Sequence, residues 1–159
     1  MFDFGLAKSL ERKNKVKGSY GYNLTPRTGS IPYMAPEIAK GEPYDKEADV
    51  FSYGILLWEI ISLKWAFNGY STQDFYQKVV IRNERLPLKY GKRWPLILRT
   101  ILTESWDPDP KKRPNIRRIA MLIRGELNDM TNDDNVTNRT RHMQDRSNHS
   151  FRVNGLDDD

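Results

Sequence analysis

The residues of this chain that could do chemistry are carboxylates and hydroxyls set among lysines and arginines. Asp3 opens an Asp-Phe-Gly triplet, and a carboxylate oxygen is the ligand a hard cation such as Mg²⁺ prefers. Ser19, Thr25, Thr28 and Ser30 place hydroxyls along a basic stretch, and Glu37 closes Ala35-Pro36-Glu37. Arg113 stands directly before Pro114, far along the chain. A carboxylate such as Glu37, if buried, needs a cation beside it. There is no cysteine, so no disulfide framework and no thiolate metal site. Neither histidine, His142 or His149, stands in a His-Arg-Asp sequence.

These residues need elements to hold them. Residues 9–28 show no hydrophobic period, and their Lys, Gly, Asn and Pro content predicts a mobile loop. Pro36 suits the first turn of a short helix, where a missing N–H costs nothing. After a turn at 40–45, Lys46 to Ser62 carries apolar residues on every face, which predicts a buried helix with Phe51, Leu56, Trp58 and Ile60 in the core. Ser71 or Thr72 can cap a helix running to about Glu84. The next helix is expected over Leu96 to Ser105, with Leu96, Ile97, Ile101 and Leu102 inward, and a last one over Asn115 to Leu127. Residues 128–159 are rich in Asn and Asp, and only six of the 32 are Met, Val, Phe or Leu, which predicts a disordered tail. Its Asn-x-Ser/Thr triplets at Asn135, Asn138 and Asn148 read as chance products of that composition.

Composition narrows the class. A chain of 159 residues suggests one domain. The N-terminus lacks the basic and apolar regions of a signal peptide, and Val50 to Ile61 is too short to span a bilayer, which needs ~20 apolar residues. With the absence of cysteine, this favours a cytoplasmic location. Residues 1–127 hold 22 Lys/Arg against 14 Asp/Glu, whereas residues 128–159 hold 4 against 7. A basic balance can mark a nucleic-acid binder. No zinc-finger spacing, RNP motif or leucine-zipper heptad accompanies it, so nucleic acid is an unlikely partner.

Asp3-Phe4-Gly5, then a basic Ser/Thr/Tyr-bearing segment, then Ala35-Pro36-Glu37 is an ordered set that resembles the protein kinases. The stretch Trp106-Asp107-Pro108 through Arg113-Pro114 resembles a turn near the end of the same domain. The resemblance covers residues 1–127 and implies a mainly α fold, a kinase-like C-lobe fragment without the β-rich N-lobe. It implies an activation segment over 3–37, a helical C-lobe over 38–127, and Asp3 as metal ligand, Phe4 as packing switch and Gly5 as pivot. It makes Ser19, Thr25 and Thr28 candidate phosphosites, with Tyr20 and Tyr22 behind them, and seats substrate at Ser30. Glu37 would pair with Arg113, and Asp49 would accept backbone hydrogen bonds from the catalytic loop. Ser30 with Tyr33-Met34 is a Ser/Thr-type pattern, similar also to the tyrosine-kinase-like group of Ser/Thr kinases.

The remaining parts of kinase chemistry precede Asp-Phe-Gly in the family. They are the Gly-rich loop, the strand Lys, the helix Glu, and the catalytic loop with its Asp base and Asn. These residues contain none of them. The complete domain would use ATP and Mg²⁺ to phosphorylate protein Ser/Thr hydroxyls, and would meet protein substrates and regulators. The chain alone is expected to be inactive and to bind neither cofactor well. The competing readings are a non-catalytic interaction module made of a lone lobe and, behind it, a basic nucleic-acid binder. Whether Met1 is the true start bears on all three.

Overall fold

A computed structural model describes residues 5–88 and 94–131. These are mainly helical, with no sheet among them and isolated β-bridges only. The chain divides into two units, 1–119 and 120–159. In the second, residues 120–131 are helical, and the Thr131 hydroxyl donates to the carbonyl of Asn128 at 2.9 Å. Helical residues thus run past the expected end at Leu127. The expected tail beyond 131 lies outside the described residues.

The first unit is built on α2 (Glu47–Ser62), the helix expected to begin at Lys46. Its core face carries Val50, Phe51, Ile55 and Trp58, all nearly inaccessible to solvent. It packs against α4 (Leu96–Ser105) through Ile101 and Leu102, and against the single turn Ile31–Tyr33. The two helices approach closely at one point: a Cβ added to Gly54 would stand 2.8 Å from Cβ of Ser105. Ser105 is fully buried, and its hydroxyl has no hydrogen-bond partner among the described residues. Packing density explains glycine here, since no methyl group fits between two close-packed backbones.

Ahead of α2 lies α1 (Pro36–Lys40), with Pro36 in the first turn as expected. Beyond α2, Ser71 makes a capping box with Asp74: each side chain accepts from the other residue's backbone N–H. The helix it starts is α3 (Thr72–Asp74), which widens at once into a π-helix over Phe75–Ile81. The expected α-helix to Glu84 is therefore shorter and differently wound. The wider turn still sends Phe75, Val79 and Val80 into the core, and α1 packs on it.

Several inward assignments are corrected. Leu56 and Ile60 of α2 are 46% and 60% exposed, so one face of the central helix lies open. Leu96 is 74% exposed because it starts α4, beyond the reach of α2. Segment 9–28 is not a structureless loop. It holds a 3₁₀ turn at Arg12–Asn14, and Tyr22 bridges both Lys15 and Tyr44. A Cβ on Gly21 would stand 2.6 Å from the Pro43 carbonyl carbon, so glycine permits that bridge.

Glu37 and Arg113 join the ends of this unit. Arg113 Nη1 and Nη2 donate to Glu37 Oε1 and Oε2 at 2.7 and 2.9 Å, a two-pronged pair shut away from water. The same guanidinium donates to the carbonyls of Asp107 at 2.9 Å and Glu47 at 3.0 Å. It also lies over the Phe51 ring, 5.2 Å from the centroid.

Three predictions concern stability. Removing one partner of a buried pair leaves a charge in a dry site, so Glu37→Ala or Arg113→Ala lowers unfolding free energy by about 3–5 kcal/mol. Urea melts read this, and a loss below about 1 kcal/mol would show the pair to be solvated. Gly54→Ala drives α2 from α4 and costs about 1–3 kcal/mol. Ser105→Ala removes a hydroxyl that has no partner, and leaves stability unchanged or raises it by up to about 1 kcal/mol.

Candidate functional site

A cavity of about 430 Å³ opens between the basic segment and the start of α2. Thr28, Ser30, Tyr44, Lys46 and Asp49 line it, with Lys8 from the incoming chain. Ser30 reaches it because the turn that follows is clamped to α2. Ser52 Oγ donates to the carbonyl of Tyr33 at 2.7 Å. The Tyr33 hydroxyl donates to Glu59 Oε2 at 2.6 Å, while Glu59 Oε1 accepts the backbone N–H of Ala66 at 2.7 Å. The carboxylate, as acceptor of the phenol proton, raises the Tyr33 pKa above its ordinary value. Glu59 thereby holds the turn after Ser30, the helix and the following loop together.

Asp49 stands at the cavity edge. Its carboxyl is desolvated by the surrounding protein, which pushes its pKa upward. Among the described residues, no side chain or amide donates to it. Asp45, also on the wall, accepts from the N–H of Lys46 at 2.7 Å. Those donors do not fit a Mg²⁺–nucleotide site by themselves. One carboxylate is occupied by an amide, the other has its pKa raised by desolvation, and no metal-holding group of three His, Asp or Glu occurs among the described residues.

The expected site residues are spread along this region. Asp3 and Phe4 lie outside the described residues; Gly5 is exposed. Ser19 is half-buried, and its hydroxyl accepts the Gly21 N–H at 3.2 Å. Thr25 is exposed, with its carbonyl held by the Tyr44 hydroxyl at 2.9 Å. Thr28 and Ser30 share the cavity with Asp49, whereas Glu37 and Arg113 are shut in the core. Ser52 and Glu59 were missed by sequence reasoning. The signal for Glu59 was a lone charge inside an apolar helical run. Tyr20 was named as a lesser phosphate acceptor. It is half-buried, and burial together with the nearby Glu37 carboxylate pushes its pKa up to about 12.

The Asp49 shift sets a pH dependence. Its folded pKa lies above the unfolded 3.8, so the folded state binds the proton more tightly. Stability from this group is therefore greatest at low pH and is lost as pH rises through the folded value. Asp49→Asn raises the melting temperature at pH 7, and the gain disappears near pH 3.8. A pH-independent gain would mean that desolvation of the carboxylate is not its cause.

The model of the family described as protein tyrosine and serine/threonine kinase matches residues 1–123. The dual specificity protein kinase shkB of Dictyostelium discoideum is 34% identical over 119 residues, which is 74% of this chain and 17% of that protein. Mitogen-activated protein kinase kinase kinase 7 is 32% identical over 121 residues in both Bos taurus and Homo sapiens, covering 76% of this chain. Those matches span 19% and 18% of the relatives' lengths. The chain thus spans less than a fifth of the curated relatives it matches. With more than three-quarters of its residues under one family model and the Glu37–Arg113 pair closing its core, this chain belongs to the protein tyrosine and serine/threonine kinase family.

Proposed function

We propose that these residues are the C-terminal half of a Ser/Thr protein kinase domain. The complete domain transfers the γ-phosphate of ATP, with Mg²⁺, to Ser/Thr hydroxyls of cytoplasmic proteins. The observation that carries this reading is the Ser30 hydroxyl in an open cavity, on a turn tied to α2 by Ser52 and Glu59. In this reading Asp3 holds metal, Phe4 and Gly5 set its approach, Ser30 seats the acceptor residue, and Ser19, Thr25 and Thr28 accept regulatory phosphate. Thr25 is the most open of the three. The 159 residues alone do not catalyse transfer. Phosphoryl transfer rests on positioning and electrostatic stabilisation of phosphate oxygens, and the carboxylates on this cavity do not supply it.

A second reading is an interaction module that binds proteins without catalysis. The exposed Leu56, Ile60 and Leu63 on one side of α2, with Trp65 beyond, favour it, because open apolar patches of this kind attract partners.

Labelled ATP separates the two. The chain, and the chain extended by the reading frame upstream of Met1, are incubated with a mixed Ser/Thr/Tyr protein substrate. The expected result is transfer by the extended chain only, on Ser and Thr, abolished by Asp3→Asn. The 159 residues show no saturable ATP–Mg²⁺ binding below about 1 mM. Phosphotyrosine as the main product overturns the hydroxyl preference, and transfer by the 159 residues overturns the inactivity. An extended chain that is also inert leaves the interaction module as the function.

A further inference from the structure

The basic segment is the charged feature that the kinase reading leaves unexplained. Residues 8–28 hold six Lys/Arg against one acid, Glu11, and Glu11 is taken by Lys13 at 2.7 Å. A run of lysines is ordinarily a solvated face. Here the fold brings cations from separate stretches to the Tyr20–Tyr22 segment and to the cavity that Tyr44 joins to it. Lys8 and Lys46 line the cavity that holds Ser30. Lys15 lies 4.4 Å above the Tyr22 ring centroid and donates to the Tyr20 carbonyl. Lys111, from the turn Pro110–Lys112, lies 5.5 Å from the Tyr20 ring centroid. The backbone of Tyr22 exchanges both hydrogen bonds with Tyr44, at 2.9 and 3.1 Å, and Tyr44 is itself a wall of the cavity. Among the described residues, none of these four ammonium groups has a carboxylate within 4.0 Å.

We propose that this basic surface docks acidic peptides, so that the protein substrates of the complete domain carry Asp or Glu beside the hydroxyl presented at Ser30; the proposal rests on the kinase reading above for the identity of that hydroxyl. The cavity wall carries Asp45 and Asp49 together with Lys8 and Lys46, so groups of both signs stand near Ser30 and suit an uncharged acceptor residue. Lys15 and Lys111 stand on the Tyr22 and Tyr20 rings beside it, where the flanking residues of a bound peptide run, and Glu42 and Glu47 are acids that also act on Tyr20. The Tyr20–Tyr22 segment is held in place before binding. Besides the Tyr22–Tyr44 pairing, the Asn23 N–H donates to the carbonyl of Asn14 at 2.7 Å and the Val16 N–H to that of Gly21 at 3.2 Å. Ordering these lysines in advance lowers the entropy cost of recognition. Nucleic acid fits the same surface less well. Single strands need open aromatic faces for stacking, and the two rings here are each covered by a lysine.

Peptide binding by the 159 residues tests this without any need for transfer. The probe is a fluorescent Ser-containing peptide flanked by Asp and Glu, compared with its Asn/Gln counterpart by polarisation. The acidic peptide binds about tenfold tighter at low salt, and the difference disappears near 0.5 M salt, as expected for exposed charges. The double variant Lys15→Glu/Lys111→Glu brings the acidic peptide down to the neutral one. Arg99→Glu/Lys78→Glu, with the same net charge change elsewhere, leaves the preference intact. If the first variant fails to fold, Lys8→Glu/Lys46→Glu gives the same reading from side chains that bridge nothing. Equal affinity for both peptides overturns the proposal, as does equal loss in the control variant. So does tighter binding of a DNA or RNA oligonucleotide, or of phosphatidylserine vesicles, than of the acidic peptide. The two readings fail separately. An inert extended chain that still selects the acidic peptide sinks the enzyme and keeps the docking surface. An active one that prefers neutral peptides does the opposite.

Discussion

A single buried guanidinium–carboxylate pair sets the arrangement of the first unit. Taking Glu37 and Arg113 out of water costs several kcal/mol per ion, and only near-ideal geometry offsets it. Arg113 meets that condition by using every edge of its planar head. Two prongs go to Glu37, the rest to the carbonyls of Glu47 and Asp107, and its face lies on Phe51. Those contacts name four places in the chain: the start of α1, the start of α2, the middle of α2 and the turn after α4. None can move far without stranding a charge. Net stability from such a pair is small, but its directionality is large, since a carboxylate fork accepts one approach of a guanidinium. The pair therefore works as a register pin more than as a source of binding energy.

A second guanidinium shows what incomplete satisfaction looks like. Arg85 lies over the same Phe51 ring, 5.4 Å from its centroid. It donates to the carbonyls of Trp106, Val79 and Glu84, yet its Nη2 has no partner. Burial lowers its pKa to about 10, with the neighbouring charge of Arg113 adding to the effect. Carbonyl dipoles hold Arg85 where a carboxylate holds Arg113. The aromatic ring between two cations gives both a polarisable face in a dry site.

The local chemistry of the chain was legible before its shape. The Glu37–Arg113 pairing was legible through the resemblance of Ala35-Pro36-Glu37 and Arg113-Pro114 to kinase motifs. A cap at Ser71 or Thr72 was readable because a hydroxyl before an apolar-periodic run is a local signal; the structure settles it on Ser71, with Asp74 as the reciprocal partner. The open face of α2 was not readable. Leu56 and Ile60 have the apolar character of Ile55 and Leu57, and a helix that is apolar all round reads as buried on every side. Burial depends on what lies opposite, which one helix cannot report. The bridge from Tyr22 to Tyr44 was hidden by its nature, since a backbone pairing between distant residues leaves no side-chain period to find. The π-helix at Phe75–Ile81 was hidden too, because its core residues fit an α-helical pattern nearly as well.

The contrast between the two sides of α2 bears on what this unit can do. Its inner side is packed so closely that Gly54 admits no methyl group against Ser105. Its other side leaves Leu56 and Ile60 in water, and the helix ends on Leu63, a non-glycine residue at φ 54° that is 89% exposed. A left-handed leucine costs about 1 kcal/mol and contributes no burial in return. Such a side chain is readily kept where something covers it. Ser52 and Glu59 leave the same helix on another side and hold the turn that carries Ser30. One element thus supplies the core, the support for the site and an uncovered apolar stripe. Leu56 and Ile60 therefore stand on the same helix that, through Ser52 and Glu59, holds the turn carrying Ser30.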